Sequence, residues 1–206
     1  MPKPHYAPSR FQLIFAALAL LAALVLAGTA YYYSSRIQTA TGTGTALVGG
    51  PFTLTDQDGR KVTEKDFLGK YMLVFFGYTY CPDICPTELQ VMSAALDSMG
   101  AKADVIQPVF VSVDPERDTP ELLKQYVGNF HPRLIGLTGT PDEIASVAKT
   151  YRVFFSKVEN SAPDTYLMDH STIIYLMDPQ GRFLKHFTYT NDAPGLAKAL
   201  AEAISG

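Results

Sequence analysis

Residues 71–78 (YMLVFFGY) form an unbroken apolar, aromatic-rich run, and this stretch restricts the fold more than any other. Eight residues are strand length, and the lack of polar alternation means that neither face meets water. Strands of that kind sit inside a sheet covered by helices on both sides. Residues 106–113 give a second buried run. Between the two, Leu89, Met92, Leu96 and Met99 recur at helical spacing over residues 87–99.

The alternation continues to the end of the chain. Thr119-Pro120-Glu121 opens a helix, with Pro at the first helical position behind a Thr cap. Its apolar face is Leu122, Leu123, Tyr126, Val127 and Phe130. His131-Pro132 then reads as a helix stop with a cation near the C-terminus. Residues 134–137 are a short strand, and Thr140 with Glu143 has the spacing of a capping box. Residues 171–177 and 183–187 flank Asp178-Pro179-Gln180-Gly181, a hairpin signal, and Leu196, Leu200 and Ile204 mark a closing helix. An earlier hairpin joins residues 52–55 to 61–63 around a turn ending in Gly59. This order predicts an α/β domain with a mainly parallel sheet and helices on both faces. Ending on a hairpin and a helix suits a thioredoxin-like fold.

Before this domain every residue from 13 to 27 is apolar, and residues 11–30 add only Gln12, Gly28 and Thr29. About twenty helical residues cross the ~30 Å hydrocarbon core of a membrane. Tyr31, Tyr32 and Tyr33 follow where an aromatic belt would lie, and the basic residues Lys3 and Arg10 precede the run. The expected plan is a cytoplasmic tail at 1–10, a single transmembrane anchor at 11–33, a flexible Gly- and Thr-rich linker at 34–50 and the folded domain at 51–206. Gly28-Thr29-Ala30 would also pass as a signal-peptidase site, but the run is long for a signal core. The expected location is a bacterial inner membrane with the domain in the periplasm.

Only three of the 17 basic residues and none of the 20 acidic ones precede residue 51, so the domain carries 14 against 20, a formal −6. No Lys- or Arg-rich run exists to meet a phosphate backbone, which excludes a nucleic-acid partner. The chain has two cysteines, too few for a disulfide-stapled scaffold.

Those two are Cys81 and Cys85, in Cys81-Pro82-Asp83-Ile84-Cys85-Pro86, directly after the central strand. Open α/β sheets place their chemistry where strand gives way to helix. Proline after each cysteine puts the helix start near Pro86, with Cys85 as its cap and Cys81 in the preceding turn. Helix N–H groups and the dipole there favour thiolate over thiol. Such a pair closes a disulfide or clasps a soft metal. Two sulfur ligands suit Cu(I), whereas zinc normally takes four ligands and no second cysteine pair exists. Among the histidines, His5 lies before the apolar run and His186 in the terminal hairpin. His170 is different, since Asp169-His170 precedes the strand at 171–177 and the loop there faces the cysteine turn in a thioredoxin-like fold. Asp169 either orients a ring or caps the start of the strand. Met168 and Met177 read as gap-filling core.

Phe75-Phe76-Gly77-Tyr78-Thr79-Tyr80-Cys81-Pro82-Asp83-Ile84-Cys85-Pro86, then Val111-Ser112-Val113-Asp114-Pro115-Glu116-Arg117-Asp118-Thr119-Pro120, then Asp169-His170 together resemble the Sco/SenC family. These are membrane-anchored thioredoxin-fold proteins that supply copper during cytochrome c oxidase assembly. The resemblance implies a copper site of Cys81, Cys85 and His170 taking Cu(I), and in some members Cu(II). It implies delivery to the copper A centre of oxidase subunit II, fed by a periplasmic copper donor. Many members have His before the first motif cysteine, where this chain has Tyr80. Asp114, Glu116 and Asp118 read as turn and helix-cap residues. A thiol–disulfide oxidoreductase that keeps the oxidase cysteines reduced is the alternative, although three residues between the cysteines depart from ordinary thioredoxin chemistry. Cys85-Pro86-Thr87 superficially resembles a peroxidase site, but Pro82 and Tyr78 occupy the places where that pattern needs Thr and Pro.

Overall fold

The computed structural model describes residues 11, 20, 22–29, 48–158, 166–188 and 192–205. The chain divides into two units, Met1–Ala46 and Leu47–Gly206. In the first, residues 22–29 are helical. No helix among the described residues is long and apolar enough to cross a membrane. The expected tail and most of the expected anchor and linker lie outside the described residues.

The second unit is built on a seven-stranded sheet. Its strands are β1 (Thr53–Asp56), β2 (Lys61–Thr63), β3 (Tyr71–Gly77), β4 (Ile106–Ser112), β5 (Ile135–Thr138), β8 (Ile173–Met177) and β9 (Phe183–Thr188). They lie in the order β2-β1-β5-β4-β3-β8-β9. Helices α1 (Ile84–Met99), α2 (Pro120–Val127), α3 (Pro141–Tyr151) and α4 (Ala193–Ser205) connect and close them. A separate two-stranded sheet pairs β6 (Phe155–Val158) with β7 (Leu167–His170).

Both faces of β3 are covered, which explains its unbroken apolar sequence. Phe76 packs on Tyr151 of α3 at 5.3 Å between ring centroids, while Phe75 lies 6.3 Å from Phe110 on the opposite face. Phe110 in turn meets Tyr126 of α2 at 5.5 Å, and α1 packs against α4. Phe75 and Phe76 are wholly buried, each worth about 1.5–3 kcal/mol of apolar transfer. Both helix starts form as the sequence predicts. Thr119 Oγ1 accepts from Leu122 N, and Thr140 and Glu143 exchange both bonds of the capping box.

Four expectations need correction. The sheet is parallel only at its centre, β3–β4 and β4–β5, because every other neighbour belongs to a hairpin or returns antiparallel. Helix α1 begins at Ile84 and not near Pro86, with Asp83 at the cap position and Cys85 inside the first turn. Pro86 fits there because first-turn N–H groups have no helical partner to lose. Helix α2 stops at Val127, and the His131 ring that follows is buried, where burial first and the Arg133 charge second lower its pKa, so it is no helix-end cation. Finally, His170 is not in a loop: it ends β7, opposite Phe155.

Candidate metal centre

Three segments converge at the carboxyl end of β3. The first is the turn after Gly77, where Cys81 N donates to Tyr78 O at 3.3 Å. Asp118 fixes this turn from outside. Its carboxylate accepts from Thr79 N at 3.0 Å, Thr79 Oγ1 at 2.5 Å and Ser112 Oγ at 2.5 Å, tying the cysteine turn to the end of β4. Asp118 is thus a brace between strands and not a helix cap. Burial, the largest influence on it, raises its pKa.

The second segment is the first turn of α1, which carries Cys85 fully buried beneath the sheet. Its sulfur can sit there because residue 77 is glycine. A Cβ at that position would lie 2.8 Å from Cys85 Sγ and 2.9 Å from the Phe110 ring. The third is the end of β7, which brings His170 Nε2 to 3.3 Å from Cys85 Sγ. Tyr78 and Phe75 present their rings to the imidazole edge-to-face, at 5.8 Å and 6.1 Å. On the far side of the ring Nδ1 lies 3.1 Å from the Ser171 carbonyl. A carbonyl only accepts, so Nδ1 carries a proton, and Nε2 is the nitrogen that faces the sulfurs.

The three expected ligands therefore meet. Cys81 Sγ, Cys85 Sγ and an imidazole nitrogen of His170 all lie within 4.8 Å of one another. Neither cysteine is in a disulfide. Their environments are unequal. Hydrogen bonding from the Cys85 thiol first, then from the His170 ring and from the Cys85 backbone N–H at 3.4 Å, holds Cys81 down to about 3, against the cost of its partial burial. The Cys81 thiolate and burial together push the Cys85 thiol far up. The protein thus presents one thiolate, one buried thiol and the Nε2 edge of one imidazole. Two soft sulfurs and one borderline nitrogen suit a monovalent soft metal and fall one ligand short of a structural zinc site.

A cleft of about 260 Å³ opens over these atoms, lined by Tyr78, Cys81, Ile84, Met168 and His170 among others. Met168, read from sequence as core, stands in that wall, while Met177 is fully buried. Asp169 is exposed beside the ligand. His186 stacks on Phe183 at 6.2 Å, as a hairpin residue does. Gly77, Arg117, Asp118 and Tyr166 support the site without a spacing that would announce it. Gly77, Arg117 and Asp118 fall in the stretches that carry the family resemblance, whereas Tyr166 does not.

The comparisons with known proteins point the same way. A mitochondrial SCO1 homolog 1 of Arabidopsis thaliana is 43% identical over 193 residues, covering 86% of this chain and 58% of its own length. The chain thus spans less than two thirds of that relative. Arabidopsis thaliana ScoI, solved with copper bound, superposes with a TM-score of 0.73 at 46% identity, covering 77% of this chain and 98% of its own. Bradyrhizobium japonicum ScoI, also solved with copper bound, gives 0.69 at 50% identity, covering 75% and 98%. Both likenesses place the domain in the thioredoxin-like Sco fold. With residues 40–205 matching the SCO1/SenC family model over the whole of this site and the sheet that carries it, the chain belongs to the SCO1/SenC family.

Proposed function

We propose that this protein is a copper chaperone of cytochrome c oxidase assembly, which holds copper between Cys81, Cys85 and His170 and hands it to the copper A centre of oxidase subunit II. The observation that carries this reading is the convergence of two sulfurs and an imidazole nitrogen within 4.8 Å. Copper is cargo here: the ligands bind Cu(I), with Cu(II) as a second state, and release it to a partner. On this reading a periplasmic donor loads the site. The apolar run at 13–27 holds the protein in a bacterial inner membrane, with the domain in the periplasm.

A specific observation also favours a second role. A half-exposed thiolate at Cys81 beside a buried thiol at Cys85 is the arrangement of an attacking and a resolving cysteine. His170 separates the two. A dithiol–disulfide cycle needs both cysteines and no third ligand, whereas the copper site needs the imidazole as well. His170→Ala in the full chain should weaken Cu(I) retention and block oxidase maturation, while leaving disulfide formation between Cys81 and Cys85 intact. Cys81→Ser or Cys85→Ser should abolish both. If His170→Ala supports normal oxidase maturation and the cysteine variants do not, thiol reduction is the function.

A further inference from the structure

The hairpin that carries His170 is not part of the main sheet, yet its imidazole is held to within 3.3 Å of a buried sulfur. One guanidinium lies between the hairpin, the cysteine turn and the end of β4. Arg117 Nε donates to the buried Asp114 carboxylate, and Nη1 donates to the Tyr166 carbonyl at 3.0 Å. Its guanidinium carbon stands 3.6 Å from the centroid of the Tyr166 ring, 4.6 Å from that of Tyr80 and 5.8 Å from that of Tyr78. Tyr166 leads directly into β7, and Tyr78 and Tyr80 flank Thr79 just before Cys81. The Tyr166 hydroxyl closes the ring of contacts by donating to Asp114 Oδ1 at 2.7 Å, while Lys157 Nζ stacks on the ring at 3.7 Å.

We propose that Arg117 is the positioning residue of the metal centre, stapling the segment that carries His170 to the turn that carries Cys81. The geometry suits a guanidinium. Only a planar fork gives one donor to a carboxylate and another to a carbonyl while its faces lie on aromatic rings. The side chain is 17% exposed, so little water competes for these contacts. It touches no ligand atom and acts through where the hairpin sits. Tyr80 belongs to the same staple, which gives this chain's departure from the family's usual histidine a structural use.

This inference rests on the copper reading only for its metal readout. The test uses the reduced full chain with ¹³C-labelled histidine, and His170→Ala to assign the His170 ring. In the wild-type apoprotein the neighbouring Tyr78 and Phe75 rings shift the His170 resonance, and Arg117→Gln should return it toward the value of an exposed histidine. Cu(I) competition against a chelator should show the same variant binding about 10–100-fold more weakly, the range for loss of a group that orients a ligand. In a His170→Ala background Arg117→Gln should change Cu(I) affinity less than about twofold, because a residue acting through the imidazole has nothing left to position. Tyr166→Leu removes the other half of the staple and should repeat the pattern if Arg117→Gln fails to fold. An unmoved His170 resonance, or an equal loss of affinity in both backgrounds, overturns the proposal. A wild-type chain that binds no Cu(I) while its His170 resonance still responds to Arg117→Gln overturns the copper reading and supports the staple.

Discussion

At the residue scale the centre is defined by an inequality between two identical side chains. Cys81 is ionised through the neutral range, because Cys85 donates to it from both its thiol and its backbone, and Cys85 keeps its proton for the same reason. The consequence is measurable without metal. A group held down to about 3 gains no further thiolate as the pH rises from 6 to 8. Iodoacetamide should therefore modify one cysteine of the reduced full chain, at a rate that varies less than about twofold across that window. In the urea-unfolded chain the rate should climb close to tenfold per pH unit, as for any thiol below its pKa. A folded chain that follows the unfolded slope would show that Cys81 is an ordinary thiol. The sequence identifies the pair and its reactive address through spacing and the strand-to-helix position. It does not reveal which cysteine is ionised, because that depends on Cys85 being fully buried with its thiol donated to Cys81.

At the scale of elements the close approach of β3 and α1 sets where the sulfurs lie. Gly77 is required by contact distance. Adding a methyl group there meets Cys85 Sγ at 2.8 Å and the Phe110 ring at 2.9 Å, and neither can retreat from the packed core. Gly77→Ala should cost about 1–3 kcal/mol of unfolding free energy in urea titrations. It should also weaken Cu(I) retention, since the shift falls on a ligand atom. Unchanged values for both would mean that the junction yields freely. Most elements are legible in the sequence: β3 and β4 from apolar runs, α2 and α3 from their caps, α1 and α4 from helical spacing, β5 as a short strand, and the β1–β2 and β8–β9 hairpins from their turns. The β6–β7 hairpin was not legible. Its strands are four residues each and half-solvated, so they lack the continuous apolar pattern that marked the central strands. The position of His170 was legible all the same, for the approach to β8 faces the cysteine turn whether it is drawn as a loop or as the end of a strand. Strand–helix alternation predicts a mainly parallel sheet, but the hairpins bring antiparallel neighbours to both of its sides.

For the whole molecule, the response of stability to pH reports the charge states of the buried polar groups. His131 joins α2 to β5, with the residue 7% exposed, its backbone N–H donating to Ser93 Oγ and its ring Nδ1 accepting from Arg133 N. Burial, and then the Arg133 charge, lower its pKa below the ordinary 6.5, with exposed Asp97 opposing them weakly. In the unfolded chain this histidine gains its proton first, on passing about 6.5. The unfolded state then binds more protons than the folded one, so stability must fall as the pH drops from about 7 toward the folded pKa, and the loss stops once both states are protonated. Buried Asp118, whose pKa is raised, works in the opposite sense, because its folded form takes up a proton before the unfolded one does. The net slope of the wild-type chain therefore does not isolate either group, but a comparison does. His131→Asn keeps an acceptor for Arg133 N and leaves Asp118 and the other histidines in place. Urea midpoints measured from pH 7.5 to 5.0 should fall less steeply in that variant than in the wild type. Parallel slopes would mean that His131 is charged in the folded state, the helix-end cation that the sequence around Pro132 suggests.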